Sequence, residues 1–264
     1  GDMAWSSDGR YLFYVLRDKE TLLPFKLFRH EIGSSQSEDV LIYEEKDPTF
    51  YLSVGNSRSM QFIEINISST TSSEVRLINS DTPEESPYIF LKRELDHLYS
   101  IEHDPENNRF LVETNWLAKN FRLMAIDLKK STDKNEWSEL IPHREDTLLQ
   151  SALAFPYHLV IMERENGLRQ LKIITKKDNT ERSIIFNDPA YSAYLAANPE
   201  YYSEKFYFGY SSLRTPDSLF SSKLSTGRKR LLKQAEVKGP FSKSDYKVER
   251  KFIEGRDGTL IPVS

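Results

Sequence analysis

Two stretches of the chain place serine and glycine at a spacing that could support nucleophilic catalysis. They are GSSQS at 33–37 and GYSSL at 209–213. A hydrolase-type nucleophile needs the pattern G-x-S-x-G, because a glycine on each side lets the backbone turn sharply and expose the serine hydroxyl. Both stretches lack the second glycine. The sequence therefore predicts that these serines form turns and that the chain has no catalytic residue.

The chain has five histidines that could act as bases or metal ligands: His30, His97, His103, His143 and His158. His97 and His103 lie six residues apart among acidic residues, which makes them the best-placed pair for a metal ion. Zinc sites use closer or motif-defined ligand pairs. We therefore expect these two histidines to lie at loop edges in solvent, and we predict no metal site.

Adjacent carboxylates raise the question of glycosidase chemistry, which uses two carboxyl groups roughly 5–10 Å apart in one pocket. The three adjacent pairs are Glu44-Glu45, Glu84-Glu85 and Glu145-Asp146. Successive residues of a strand point to opposite faces, so the members of a pair would not share a pocket. Charged residues at sheet edges also discourage aggregation. We expect these pairs to form a solvated rim.

The composition excludes further classes of protein. There is no cysteine among the 264 residues, which removes disulfides and cysteine nucleophiles and favours a reducing, cytoplasmic location. The chain has no G-x-G-x-x-G motif and no P-loop, so we predict no nucleotide and no other cofactor. A formal net charge of −4 gives no basic footprint for nucleic acid. No apolar run approaches the roughly 20 residues that span a bilayer.

One class of strand-like segment recurs along the chain at a regular interval. Its members alternate apolar and polar residues and are rich in Phe, Tyr, Ile and Val, as is typical of strands. They lie at 10–18, 60–69, 108–115, 157–165 and 204–212. When they are aligned on Leu12, Phe62, Phe110, Leu159 and Phe206, the spacings are 50, 48, 49 and 47 residues.

Each of these segments belongs to a group of four. A short run precedes it, and two alternating runs follow. The first of these followers lies at 24–33, 73–80, 120–128, 168–175 and 217–224. The second lies at 38–45, 86–94, 136–145, 181–188 and 227–234. Asp-Gly, Asp-Pro and Asn-Pro turns reverse the chain between runs. Four antiparallel strands repeated every 40–50 residues predict an all-β fold of β-propeller blades, the alternative being a β-sandwich with evenly spaced strands.

The repeats predict five blades, at about 1–48, 49–94, 95–145, 146–188 and 189–238. Five blades would form a closed ring or an arc of a larger one. Residues 239–264 do not begin a sixth repeat. They contain Gly239-Pro240, a charged stretch, and a hairpin-like alternation around Asp257-Gly258, after which the last run has no later strand to pair with.

Four stretches carry a resemblance to a known family. They lie at 44–78, 141–174, 186–200 and 210–264, and the last contains TPDSLF (215–220), interpreted as a turn, and the tail RDGTLIPVS. These stretches resemble the prolyl oligopeptidase family of serine peptidases, and most of all its oligopeptidase B (protease II) branch. The resemblance covers nearly the whole chain.

The resemblance implies a seven-bladed propeller, of which this chain would hold the five later blades. The crossover at 239–252 would be a hinge strand, and the tail would start the α/β-hydrolase domain, which carries the Ser, Asp and His triad in this family. We therefore expect a truncated, non-catalytic propeller that gates an endopeptidase cleaving short peptides after Arg or Lys.

The expected partners are peptide substrates, the missing blades and hydrolase domain in cis, and a second copy paired through uncovered sheet edges, with no nucleic acid and no membrane. The alternative function is a stand-alone propeller scaffold that binds protein partners without catalysis.

Overall fold

The computed structural model describes residues 2–264. The segments with alternating apolar residues form antiparallel strands. The chain divides into two units, one up to residue 142 and one from residue 143. Within the described residues, the helical segments are five short 3₁₀ turns, Gln36–Glu38, Pro105–Asn107, Leu128–Lys130, Lys134–Glu136 and Lys243–Asp245. No helix in this part of the chain is long and apolar enough to cross a membrane.

The first unit contains three four-stranded sheets, and in each sheet neighbouring strands are also consecutive in the chain. Sheet 1 consists of β1 (Met3–Trp5), β2 (Tyr11–Arg17), β3 (Pro24–Glu31) and β4 (Val40–Glu44). Sheet 2 consists of β5 (Tyr51–Asn56), β6 (Phe62–Ser68), β7 (Ser73–Asn79) and β8 (Tyr88–Leu91). Sheet 3 consists of β9 (Tyr99–Asp104), β10 (Arg109–Thr114), β11 (Arg122–Ile126) and β12 (Ser138–Ile141).

The second unit contains two such sheets and a terminal hairpin. Sheet 4 consists of β13 (Thr147–Ala154), β14 (His158–Glu165), β15 (Leu168–Thr175) and β16 (Glu181–Ser183). Sheet 5 consists of β17 (Ser192–Leu195), β18 (Lys205–Ser212), β19 (Thr215–Lys223) and β20 (Lys229–Gln234). The hairpin pairs β21 (Lys251–Glu254) with β22 (Leu260–Val263).

The predicted grouping of four strands is confirmed in all five sheets. The five aligned residues fall at the first or second position of the second strand of each sheet: Leu12, Phe62, Phe110, Leu159 and Phe206. How these sheets divide the chain into domains, and the number of blades in the whole propeller, stay predictions.

Three details differ from the predictions. The run predicted at 181–188 is a strand only over Glu181–Ser183, and the chain bends at 187–190 before it enters sheet 5. TPDSLF is not a turn but the start of β19, because Ser212 already pairs with Thr215 and leaves a two-residue turn before it. The last strand does have a partner, since Glu254 pairs with Leu260 across the turn that contains Gly258.

The first two sheets share one apolar core. Ile63, Ile65 and Ile67 alternate along β6 and are fully buried in a cluster with Phe13 and Leu27 of sheet 1. Burial of side chains of this size stabilises a fold by about 1.5–3 kcal/mol each. This face of sheet 2 therefore requires sheet 1 as its cover.

The opposite face of sheet 2 is also apolar. Val75 and Leu77 of β7 are buried in a cluster with Phe110 and Val112 of sheet 3. In the second unit, the cluster that contains Val160 and Ile173 of sheet 4 also contains Phe206 and Phe208 of sheet 5, which alternate along β18. Within each unit, successive sheets are therefore joined by a shared core.

One glycine in sheet 5 packs closely against an aromatic ring. Gly209 on β18 pairs with Tyr194 on β17, and a Cβ at position 209 would lie 2.0 Å from Cζ of the Tyr194 ring. The Tyr194 hydroxyl donates to Asp217 Oδ1 at 3.3 Å, so the ring is also tethered from its far end. Gly55 on β5, by contrast, has no atom within 4 Å of a Cβ built there.

We predict that Gly209→Ala lowers the free energy of unfolding by about 1–3 kcal/mol, because the Tyr194 ring must move. Gly55→Ala is the matched control, and we expect it to change stability by less than about 1 kcal/mol. Urea denaturation of both variants measures the difference. Equal effects of the two substitutions would contradict the close packing.

Candidate functional site

In both serine-containing stretches, a serine hydroxyl forms a hydrogen bond within the fold. Ser35 precedes the 3₁₀ turn Gln36–Glu38, and its Oγ accepts from the backbone N–H of Ser37. Ser212 lies at the end of β18, and its Oγ donates to Asp188 Oδ2 at 2.7 Å. These contacts fit turn-forming serines, and the absence of a catalytic residue stays a prediction.

The prediction that His97 and His103 lie in solvent is wrong. Both side chains are buried, at 5% and 7% exposure. His97 Nε2 lies 2.8 Å from Thr114 Oγ1, and His103 Nδ1 lies 2.8 Å from Ser59 Oγ. Burial lowers the pKa of His103 to about 4. Each ring is therefore part of the sheet packing, and among residues 2–264 no cluster of three His, Asp or Glu could hold a metal ion.

The expected solvated rim is wrong for one carboxylate of the adjacent pairs. Glu45 is 8% exposed and accepts from Arg93 at 2.6 Å and from the Tyr43 hydroxyl at 2.8 Å. Glu84 also has a partner, because it accepts from the Tyr11 hydroxyl at 2.5 Å. Glu44, beside Glu45, pairs with Lys26. The members of this pair thus point to different surroundings, as strand alternation requires.

Arg93 connects sheets 1 and 2 through charge. It follows β8 of sheet 2, and its guanidinium reaches Glu45, which follows β4 of sheet 1. Its backbone N–H donates to Glu74 Oε2 at 3.2 Å, and its guanidinium carbon lies 4.1 Å from the Phe50 ring centroid. Burial alone would raise the pKa of Glu45, but the Asp47 N–H and the Arg93 guanidinium lower it below its ordinary value. Glu45 is therefore held ionised between the sheets.

A second charged cluster lies where sheets 2 and 3 meet. Arg58, in the turn between β5 and β6, donates to Glu102 on β9. Glu64 on β6 lies close enough to Glu102 for the two carboxylates to interact. Burial, followed by the repulsion from Glu102, raises the pKa of Glu64 to about 8. Gly55 pairs with Glu64 across the strands and has open space where a side chain would stand.

Asp188 precedes sheet 5 and accepts four hydrogen bonds from side chains at the end of β18, in the β18–β19 turn and at the start of β19. Its Oδ2 accepts from the Tyr210 hydroxyl at 2.7 Å, the Ser212 hydroxyl at 2.7 Å and the Thr215 hydroxyl at 3.1 Å. Its Oδ1 accepts from Arg214 Nε at 2.6 Å. Burial alone would raise the pKa of Asp188, but these four donors hold it well below its usual range.

This network joins two of the segments that carried the family resemblance. Asp188 belongs to 186–200, and its donors belong to 210–264. No sequence motif marks Asp188, because its partners lie 22 to 27 residues further along the chain. The Asp188 network fixes the β18–β19 turn against the segment that enters sheet 5.

The segment after sheet 5 has a different character. Residues 236–247 are exposed throughout and contain Gly239 at φ +93° and one 3₁₀ turn. The hairpin that follows is also exposed on both faces, including the apolar side chains Phe252 (50%), Ile253 (55%) and Leu260 (62%). In the described residues, this part of the chain is the least covered.

We predict that Asp188→Asn lowers the free energy of unfolding by about 3 kcal/mol at neutral pH, because it leaves Arg214 without its buried partner. A depressed pKa in the folded state gives stability that is present above the unfolded pKa of about 3.9 and is lost as pH falls below it. The deficit of the variant should therefore shrink below about pH 4.

Chemical denaturation of wild type and variant across pH measures this deficit. Asp178→Asn is the matched control, because Asp178 lies in an exposed turn and accepts from the Thr180 N–H. We expect it to change stability far less than Asp188→Asn does. A similar loss in both variants would show that the network has no special role.

We predict that the effect of Glu64→Gln on stability grows as pH rises and is a gain, whereas Asp188→Asn causes a loss. A carboxyl with a raised pKa keeps its proton in the folded state while the unfolded chain releases it, so stability falls as pH rises from 4.5 to about 8. The substitution removes that loss, and it should stabilise the protein by about 1–3 kcal/mol near pH 8 and little near pH 5. Thermal unfolding at both pH values tests this, with Glu106→Gln in an exposed turn as control. A variant that is destabilised near pH 8 would contradict a neutral Glu64.

Comparison with known proteins identifies the fold. The sequence model of the family described as "Prolyl oligopeptidase, N-terminal beta-propeller domain" matches residues 1–235. The chain is 37% identical over its full length to dipeptidyl aminopeptidase BI from Pseudoxanthomonas mexicana and 33% identical to protease 2 from Moraxella lacunata. It spans 36% and 37% of the lengths of these two relatives.

A solved structure of oligopeptidase B from Leishmania major superimposes on 99% of the chain with a TM-score of 0.89 at 29% identity, and the chain covers 38% of that structure. The five four-stranded sheets are thus propeller blades, and the resemblance inferred from the sequence is confirmed. The chain belongs to the prolyl oligopeptidase family and forms part of its N-terminal β-propeller domain.

Proposed function

We propose that this chain is the gating module of an oligopeptidase B-like serine endopeptidase. In this proposal the blades form a wall beside a catalytic cavity, and short or unstructured peptides pass while folded proteins do not. The proposal is supported by family membership, and by the fact that the chain covers just over a third of relatives that are named as peptidases.

Rigid blades suit a size filter. The first two sheets share an apolar core and the Arg93–Glu45 ion pair, and sheets 2 and 3 share a core and the Arg58–Glu102 pair. Closely packed cores transmit force without deforming. A wall built in this way can exclude a large substrate, because widening it would require breaking several buried contacts together.

The exposed hairpin is the observation that carries the proposal. Phe252, Ile253, Leu260 and Ile261 are each at least 49% exposed. An isolated two-stranded hairpin is marginally stable in water. We propose that it packs on an α/β-hydrolase domain in cis, and that 239–252 is a hinge strand through which the two domains part. The exposure of residues 236–247 and the positive φ of Gly239 suit a segment that must bend.

The finer features of the proposal follow from the family resemblance. They are cleavage after Arg or Lys, a cytoplasmic location, peptide substrates, and a seven-bladed ring to which this chain contributes five blades. Pairing of a second copy through uncovered sheet edges is a further proposal for the chain when it is produced alone.

We predict that the protein whose reading frame contains this chain hydrolyses short peptides after Arg, and that kcat/KM falls steeply as a single-Arg peptide is lengthened. Folded proteins with an exposed Arg should resist cleavage, because they cannot pass the wall. Mass spectrometry of the products, with peptides of graded length, gives both the cleavage site and the size limit.

The control is the 264-residue chain alone, incubated with a chromogenic peptide that ends in Arg. We expect no hydrolysis. Turnover that persists through purification and is blocked by a serine-reactive phosphonate would contradict a non-catalytic chain. Equal cleavage of a short peptide and a folded protein by the longer protein would contradict gating.

A further inference from the structure

A basic groove lies at one end of sheet 5. It encloses about 410 Å³, and it is lined by five cationic side chains, Lys205, Lys223, Arg228, Lys229 and Arg230. Its lining contains one carboxylate, Glu204. The chain as a whole carries a net charge of −4, so this concentration of positive charge runs against the overall balance.

The groove cations differ from other basic residues of the same unit in their partners. Arg144 and Lys172 pair with Glu163, and Arg214 pairs with Asp188. Lys223 and Arg230, in contrast, form no ion pair within the residues that the structure describes, and the same holds for Lys205 and Arg228. Five cations beside a single carboxylate leave an excess of positive charge in the groove, so a bound anion would relieve the repulsion between them.

The turn that presents these cations is held in place. Gly227, at φ +71°, lies in the β19–β20 turn, and its N–H donates to the Lys223 carbonyl at 2.7 Å. Arg182 of sheet 4 donates to the Ser225 carbonyl at 2.9 Å, and its Cδ would lie 2.7 Å from a Cβ at position 227. Lys229 donates to the Ile185 carbonyl. The groove is therefore largely formed before any ligand arrives, which lowers the entropy cost of binding.

The groove continues onto an uncovered strand edge. β20 is the outermost strand of sheet 5, and all six of its residues are exposed. Two of them are aliphatic, Leu231 at 48% and Leu232 at 44% exposure. The backbone N–H and C=O groups along such an edge can pair with an added strand.

We propose that the groove and the β20 edge together bind an extended acidic peptide segment of a partner protein, which adds to β20 as a further strand. Its carboxylates face the groove cations, and its apolar side chains contact Leu231 and Leu232. A peptide is favoured over nucleic acid because the lining has no aromatic side chain on which bases could stack, whereas an edge strand offers backbone hydrogen bonds.

The test uses the full chain and a fluorescein-labelled peptide of alternating Glu and Val, matched in length to β20. Fluorescence anisotropy should show binding that weakens as salt rises. The double substitution Lys223→Glu with Arg230→Glu should lower the affinity by at least about tenfold. Lys238→Glu with Lys243→Glu is the control, because it makes the same change in net charge on the exposed crossover segment, and it should alter affinity by less than about twofold.

Two further probes distinguish strand addition from purely electrostatic binding, and a peptide partner from a nucleic acid. A peptide with N-methylated backbone amides keeps its charges but cannot pair with an edge, and it should bind at least about tenfold more weakly. Equal binding of the methylated peptide would overturn strand addition, and tighter binding of a single-stranded oligonucleotide than of the peptide would overturn the choice of partner. If the charge-reversed variant fails to fold by circular dichroism, Lys223→Gln with Arg230→Gln replaces it, and unchanged affinity in that variant would overturn the groove.

Discussion

A sheet that is apolar on both faces must be covered on both faces, and the architecture of this chain depends on that constraint. In sheet 2, the isoleucines of β6 are buried against sheet 1, while Val75 and Leu77 are buried against sheet 3. Exposing either face would lose about 25 cal/mol for each Å² of apolar surface returned to water. Repeated units of this kind are stable only beside their neighbours, which explains why the strand pattern recurs along the chain.

Charges between the sheets add a second level of organisation. The Arg93–Glu45 and Arg58–Glu102 pairs each join side chains from two different sheets. Buried ion pairs often contribute little net stability, since desolvation offsets the attraction, but breaking one leaves a costly lone charge. Loss of one partner from either pair would therefore cost more than the pair itself contributes. Glu64 avoids an unpaired buried charge in a different way. Its raised pKa lets it stay protonated near neutral pH beside Glu102.

The sequence predicts strand positions well because alternation and turn residues are local properties. The strand β14 (His158–Glu165) lies within one residue of the predicted run 157–165. The histidine prediction failed because it used ligand spacing instead of strand alternation. Tyr99, Ile101 and His103 occupy alternate positions of β9, and that pattern alone indicates that His103 points with them into the core. Asp188 could not have been found in this way, because its role depends on contacts with a turn more than twenty residues later, and an Asp before a proline indicates only a bend.

The β21–β22 hairpin departs from the rule that an apolar face must be covered. Pro262 of β22 approaches the β14–β15 turn, where a Cβ at Gly167 would lie 3.4 Å from its Cγ, yet Phe252 and Ile253 of β21 stay half exposed. In the preceding sheets, Phe, Ile and Leu side chains form the buried cores. A segment that is apolar on both faces, attached through an exposed crossover, has the properties needed to join a rigid wall to a second body that moves against it. The proposed gate therefore has its motion between the covered sheets and this hairpin, because the hairpin has the fewest buried apolar contacts to hold it to the blades.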